Sequence, residues 1–218
     1  MKYVVILHVF NEEEYLETVL DAIRLQSYPP EDIVIVDDGS TDETPNIIHE
    51  QGIAHIHRPS TTLQAFKRRA HAFNDAVDLA KIISPKAQHL LKVDGDTHIE
   101  QRYAFTLLRN MKDPVIAATS GISTEYYKVR DLNNGAVLYR LRTLPKARSM
   151  RGWDRGIQLE LIRAGYTIKI DPSVSYTDLR MPNSMKPTPS KVILNRTSRM
   201  LSEAIGKMRR ITARGGNS

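Results

Sequence analysis

Cysteine is missing from all 218 residues, which removes disulfides, thiolate nucleophiles and Cys-ligated zinc and gives no support for secretion. No apolar stretch approaches the roughly 20 residues that cross a bilayer. The opening Met1-Lys2-Tyr3-Val4-Val5-Ile6-Leu7 is apolar but lacks a small-residue cleavage site and meets Asn11-Glu12-Glu13-Glu14 at once. It reads as the first strand of a fold, not as a targeting segment, and a cytoplasmic location follows by default. There is no Gly-x-Gly-x-x-Gly and no P-loop lysine, so backbone amides alone do not cradle phosphates. Fixed-period repeats are absent, and low complexity is confined to the Gly215-Gly216-Asn217-Ser218 end.

What is present suits one α/β domain with a proper core: 41% of residues are hydrophobic, and charges are spread along most of the chain. The net charge of +6 is uneven. Near the C-terminus Lys186, Lys191, Arg196, Arg199, Lys207, Arg209, Arg210 and Arg214 face only Glu203, a block that favours an anionic surface, either phospholipid headgroups or nucleic acid.

Residues 3–9 form a β-branched strand, and residues 12–26 carry helical spacing through Tyr15, Leu16, Val19, Leu20 and Ile23. Ile33-Val34-Ile35-Val36 is a second buried strand, followed by an acidic loop in which Ser40 or Thr41 caps the helix of Ile47 and Ile48. Strands at 53–57, 90–93 and 115–119 alternate with helices at 63–83 and 99–111. The alternation predicts a mostly parallel sheet covered on both faces. Beyond residue 120 it breaks: a turn at Asn133-Asn134-Gly135 precedes the strand of Ala136 to Tyr139, a helix runs from Asp154 to Gly165, and a final strand covers 166–170. Pro182, Pro187 and Pro189 then interrupt regular structure before a basic helical tail from about residue 191 to 211.

Asp94-Gly95-Asp96 follows the apolar run of residues 89–93, and two carboxylates at the end of a core strand suit a hard divalent cation such as Mg2+ or Mn2+. The plain alternative is an Asp-Gly turn. An EF-hand is excluded, because Ile99 stands where its glycine belongs and Phe105 where its glutamate belongs. Asn11-Glu12 and Asp37-Asp38 also fall at strand ends, where ligands of open α/β sheets bind. Three acidic loops on one rim suit a ribose, a base and a metal.

In combination, residues 5–12, the run Asp37-Asp38-Gly39-Ser40-Thr41-Asp42 after a strand, and Asp94-Gly95-Asp96 resemble family-two glycosyltransferases of the GT-A fold over roughly residues 3–180. The resemblance implies a nucleotide-binding half of about 1–98, an acceptor half of about 99–180 and a separate Pro-interrupted basic tail at 181–218. It implies a nucleoside-diphosphate sugar, UDP- or GDP-linked, lined by Phe10, Glu12, Asp37 and Asp38, with Arg68 contacting the donor. Asp96 is the principal metal ligand it implies, with Asp94 its partner toward metal or ribose and His98 a further ligand as in dolichol-phosphate mannose synthase-like relatives. Asp154, eleven residues before Gly165-Tyr166, matches the family's base; Trp153 replaces the usual glutamate and alters the acceptor pocket. The family's histidine after the last core strand is missing, and Asp178 is the substitute. Arg180 and Lys186 share the spacing of residues that hold a diphosphate or lipid phosphate. The Gln-x-x-Arg-Trp signature of processive synthases is absent, so transfer of a single sugar is expected, to a sugar, lipid-phosphate or protein acceptor.

Two other classes compete. A sugar nucleotidyltransferase needs a Gly-rich, basic N-terminal loop, which His8-Val9-Phe10-Asn11-Glu12 does not provide. A non-catalytic adaptor on membrane or nucleic acid would not need the acidic rim, and the tail lacks the interleaved aromatics that stack on bases. Peripheral membrane contact through the tail is the expectation; nucleic acid is not.

Overall fold

The computed structural model describes residues 1–59, 65–124 and 135–180. Among these described residues, eight strands form one sheet in the order β3-β2-β1-β4-β7-β6-β8-β5. The strands β1 (Tyr3–Val9), β2 (Ile33–Asp37), β3 (Ala54–His57) and β4 (His89–Asp94) make a parallel block. The strand β7 (Ala136–Arg140) runs antiparallel between β4 and β6 (Ile116–Ser123), while β6 and β8 (Thr167–Asp178) are parallel. The short β5 (Thr97–Ile99) closes the far edge antiparallel to β8.

Of the parallel block, β1, β2 and β4 are largely buried on both faces and read as mainly apolar runs, whereas the edge strand β3 alternates half-buried and exposed residues. In β1, Tyr3, Val5, Leu7 and Val9 face one core, whereas Val4 and Ile6 face the other. The first core is covered by α1 (Leu16–Arg24) and α4 (Tyr103–Asn110); the second by α3 (Ala65–Ile83) and α5 (Trp153–Arg163). Helix α1 buries Leu16, Val19, Leu20 and Ile23, the spacing of a single helical stripe. A short α2 (Thr44–Glu50) follows β2.

The alternating α/β order predicted from sequence holds, with three departures. The helix expected over 99–111 is instead β5 followed, after a turn, by α4, because Thr97 and Ile99 are buried in pairing with Asp178 and Tyr176. The final strand continues past residue 170 to Asp178, using β6 as its partner as far as Ser123. Neither Ser40 nor Thr41 caps α2; Asp42 Oδ1 accepts from the Thr44 N–H at 3.0 Å, and Ser40 Oγ serves the neighbouring loop. The Asn133-Asn134 turn, Lys186 and the tail over 181–218 lie outside the described residues. Among the described residues no helix is long and apolar enough to cross a membrane.

Candidate active site

Register brings the acidic loops together: Val9 pairs with Asp37 and His8 with Asp94, so β1, β2 and β4 end side by side. The turn after β1 is held by Asn11 at a left-handed φ of 54°, a conformation Asn tolerates better than most residues. Its backbone N–H donates to Ser40 Oγ at 2.9 Å, its carboxamide oxygen accepts from the Thr41 N–H at 2.9 Å, and the Glu12 N–H donates to Thr44 Oγ1 at 2.8 Å. Gly95 allows β4 to close on the same turn. A Cβ there would lie 2.8 Å from Glu12 Cγ and 2.9 Å from Val9 Cγ1.

These loops edge a cavity of about 410 Å³. Phe10, Asp38 and Arg68 line one side, Glu12, Asp94, Asp96, Asp178 and Arg180 the rim, and Trp153 with Asp154 the side contributed by α5. The volume is that of an ordinary small-molecule site.

Two predicted residues stand elsewhere. Asp37 is 1% exposed and is not part of the lining; its Oδ1 accepts from the Ser40 N–H and Oγ–H at 2.9 and 2.6 Å, and its Oδ2 meets His57 Nδ1 at 2.7 Å. It shapes the loop that carries Asp38. His98 is exposed, because strand alternation in β5 turns it away from buried Thr97 and Ile99, and it lies outside the lining.

Asp38 is buried beside basic side chains: His8 Nε2 stands 3.6 Å away, and Arg58 Nε and Arg68 Nε each 3.7 Å. Burial works to raise its pKa, but His8, Arg68 and Arg58 outweigh that and hold it below the usual carboxylate range. At these separations none of the three contacts is a hydrogen bond. Among the described residues, His8 Nε2 and Arg68 Nε, both shielded from solvent, have no hydrogen-bond partner. The Arg68 guanidinium also lies 5.3 Å from the Phe10 ring centre. Polar nitrogens left unmatched beside an aromatic ring suit a planar, oxygen-bearing ligand.

The rim is crowded with acid. Burial raises the Asp96 pKa, as do the charges of Asp94 and Asp178, against the pull of Arg180. Glu12 is pushed up to about 7, first by burial, then with Arg180 opposing and Asp96 and Asp94 reinforcing. Arg180 donates to Glu12 Oε2 at 2.6 Å and places Nε 3.3 Å from Asp96 Oδ2, while Lys92 Nζ sits 2.5 Å from Asp94 Oδ1. Among the described residues no three His, Cys, Asp or Glu side chains group closely enough to enclose an ion. That donor set still fits Mg2+ or Mn2+, which use one or two carboxylates and complete their shells with water and substrate phosphates.

Asp154 lies in the first turn of α5, behind Gly152 at a φ of 69°, and its Oδ1 accepts from the Arg155 N–H at 2.7 Å. Trp153 packs on Phe73 of α3 with ring centres 5.0 Å apart. Composition and motif reading missed His8, Arg58 and His57, the basic partners of the two loop aspartates. The bare spacing of Arg58 and His57 carries no motif; they reach the site only because β3 pairs beside β2.

The fold is the GT-A fold. The glycosyl transferase family 2 model matches residues 4–81. Curated relatives include the poly-beta-1,6-N-acetyl-D-glucosamine synthases of Staphylococcus epidermidis, 26% identical over 143 residues, and of Staphylococcus aureus, 26% identical over 145 residues. Each match covers 65% of this chain and 32% of the relative, so the chain spans about a third of those proteins. Among solved structures, the mannosyltransferase PcManGT from Pyrobaculum calidifontis in complex with GDP-Man and Mn2+ superposes with a TM-score of 0.68 at 18% identity, over 84% of this chain and 58% of that one. TarS 1-349 of S. aureus in complex with UDP-GlcNAc gives 0.59 at 17% identity, over 86% and 61%. Glucosyl-3-phosphoglycerate synthase of Mycobacterium tuberculosis, with Mn2+ and UDP, gives 0.58 at 14% identity, over 83% and 73%.

Proposed function

We propose that this chain is an inverting, divalent-cation-dependent glycosyltransferase that moves one sugar from a UDP- or GDP-linked donor to an acceptor hydroxyl or phosphate. The observation that carries the reading is one cavity lined by the nucleotide-side residues Phe10, Asp38 and Arg68, by the acidic rim, and by Asp154 from the opposite half of the chain. The family match over residues 4–81 and the nucleotide-sugar complexes of the structural neighbours support it.

Phe10 and Arg68 flank the base, and Asp38 with its basic neighbours meets polar atoms of base or ribose. Asp94 and Asp96 would hold the cation, with Asp178 beside them. When bound, Mn2+ or Mg2+ would neutralise the diphosphate and stabilise it as a leaving group. Arg180 adds positive charge at the same rim, and Lys186 would join it in holding the diphosphate or a lipid phosphate. Asp154 accepts the acceptor's hydroxyl proton as that oxygen bonds to the anomeric carbon; the bond from that carbon to the diphosphate oxygen breaks, and configuration inverts. A phosphate acceptor, already ionised, draws little on Asp154. Trp153 offers an aromatic face to a sugar or a lipid.

The absence of Gln-x-x-Arg-Trp favours one transfer over polymerisation, although the curated relatives are named as polymer synthases. The acceptor is a sugar, lipid-phosphate or protein. A cysteine-free chain fits the cytoplasm, and the basic 181–218 segment suits peripheral contact with an anionic membrane, not nucleic acid.

Asp154→Asn provides the test. Release of nucleoside diphosphate from UDP-N-acetylglucosamine or GDP-mannose with Mn2+ should fall by about 10²–10⁴ while the donor still raises the melting temperature. Undiminished transfer to a hydroxyl acceptor, water included, in that variant overturns the assignment of the base.

A further inference from the structure

Asp154 is delivered to the cavity by a connection without regular helix or strand, running from the 3₁₀ turn at Leu141–Thr143 to the start of α5 at Trp153. Such a segment has no ladder to satisfy its backbone, and buried amides without partners are costly. Ala147 lies midway along it and is 6% exposed, seated in the core beneath α3 and α5. Both of its backbone polar groups are met by one side chain. Asn74 Nδ2 donates to the Ala147 carbonyl at 2.9 Å, and Asn74 Oδ1 accepts from the Ala147 N–H at 2.8 Å.

The neighbouring positions on α3 grip the same connection. His71 Nε2 meets Ser149 Oγ at 2.5 Å, and the Phe73 ring packs on Trp153. One turn of α3 therefore holds residues 147, 149 and 153, the last adjacent to Asp154. From the other side, Arg148 Nε reaches Glu160 Oε1 on α5 at 2.6 Å. A two-point amide contact fixes orientation as well as distance. Asp at position 74 lacks the donor, and Gln lengthens the stem by a methylene. The same helix carries Arg68 to the cavity's other wall.

We propose that Asn74 is a positioning residue: by clamping the Ala147 backbone it sets where Asp154 stands over the cavity. The inference rests on the reading of Asp154 as the base. A displacement of about 1 Å at a reacting centre is enough to cost roughly a hundredfold in rate.

Trp153 is the chain's single tryptophan, so its fluorescence reports the connection directly and needs no substrate. In the full chain, Asn74→Ala should shift Trp153 emission to the red and increase its quenching by acrylamide. Nucleoside diphosphate release from UDP-N-acetylglucosamine or GDP-mannose should fall about a hundredfold in kcat, with the donor KM held within about twofold. Asn74→Gln, which keeps both groups on a longer stem, gives the same direction of change and replaces the alanine variant where that one does not fold. In an Asp154→Asn background Asn74→Ala should add less than about twofold. Trp153 fluorescence and kcat at wild-type values, with only the melting temperature lowered, would overturn the proposal; so would a full second loss in the Asp154→Asn background. Full turnover in Asp154→Asn alone removes the base reading instead, a failure distinct from an unmoved tryptophan.

Discussion

At the start of β4, His89 is 1% exposed, and neither ring nitrogen finds a hydrogen-bond partner among the described residues. Burial, and after it the charge of Arg140, lowers its pKa from 6.5 to about 4. The unfolded chain binds the proton first as pH falls, so His89 favours the fold fully above pH 6.5 and progressively less from there to about 4. The melting temperature of the wild type should decline across that window, and His89→Leu should flatten the decline. Parallel curves for the two proteins would show that acid lability arises elsewhere. Nothing in the sequence marks this histidine, since a ring in a strand pattern looks the same with or without partners. The acids lining the cavity are the reverse case: strand-end position and residue type were enough to place Asp38, Asp94 and Asp96 there, though not to show the basic side chains around Asp38. Asp37 shares that signature, yet it is turned into the loop by Ser40 and His57, and this depends on β3 arriving from elsewhere in the chain.

Between elements, the tightest approach at the site is β4 against the turn after β1. Gly95→Ala would press a methyl on Glu12 Cγ and Val9 Cγ1, the second of which belongs to the packed core. The expected cost is about 1–3 kcal/mol, read as a lowered melting temperature, with weaker donor binding because Glu12, Asp94 and Asp96 share that contact. A variant with wild-type melting and wild-type donor affinity would show that the turn yields freely. Periodicity made β1, β2, β4 and the helices of the parallel block legible, since each buries its own apolar pattern. It failed for β5, three residues whose strand character comes from pairing with β8, and for the length of β8, whose middle at Asp171 to Ser173 is half-buried to exposed. Short antiparallel edges are decided by their partners, and local sequence carries little of that information.

Across the whole molecule, the cavity draws on both halves of the chain, so a ligand that fills it should stabilise the fold by mass action. UDP-N-acetylglucosamine or GDP-mannose with Mn2+ should raise the melting temperature by an amount that grows with donor concentration. The shift should shrink in chelator and in Asp96→Ala; a shift equally large without the ion would reject the cation. Vesicles rich in anionic lipid should bind the full chain and lose it as salt rises, whereas a chain ending at residue 180 should stay free. Retention of the shortened chain on those vesicles would locate membrane contact outside the basic segment.

Arg180 already spends its guanidinium on Glu12 and Asp96. Any soluble ion that takes Asp96 therefore competes with a counter-charge tethered to the polypeptide, and its apparent affinity must fall below what the bare carboxylates would give. Occupancy of the rim becomes an exchange rather than a simple addition, and the displaced guanidinium remains on hand as a ready contact for an incoming polyanion.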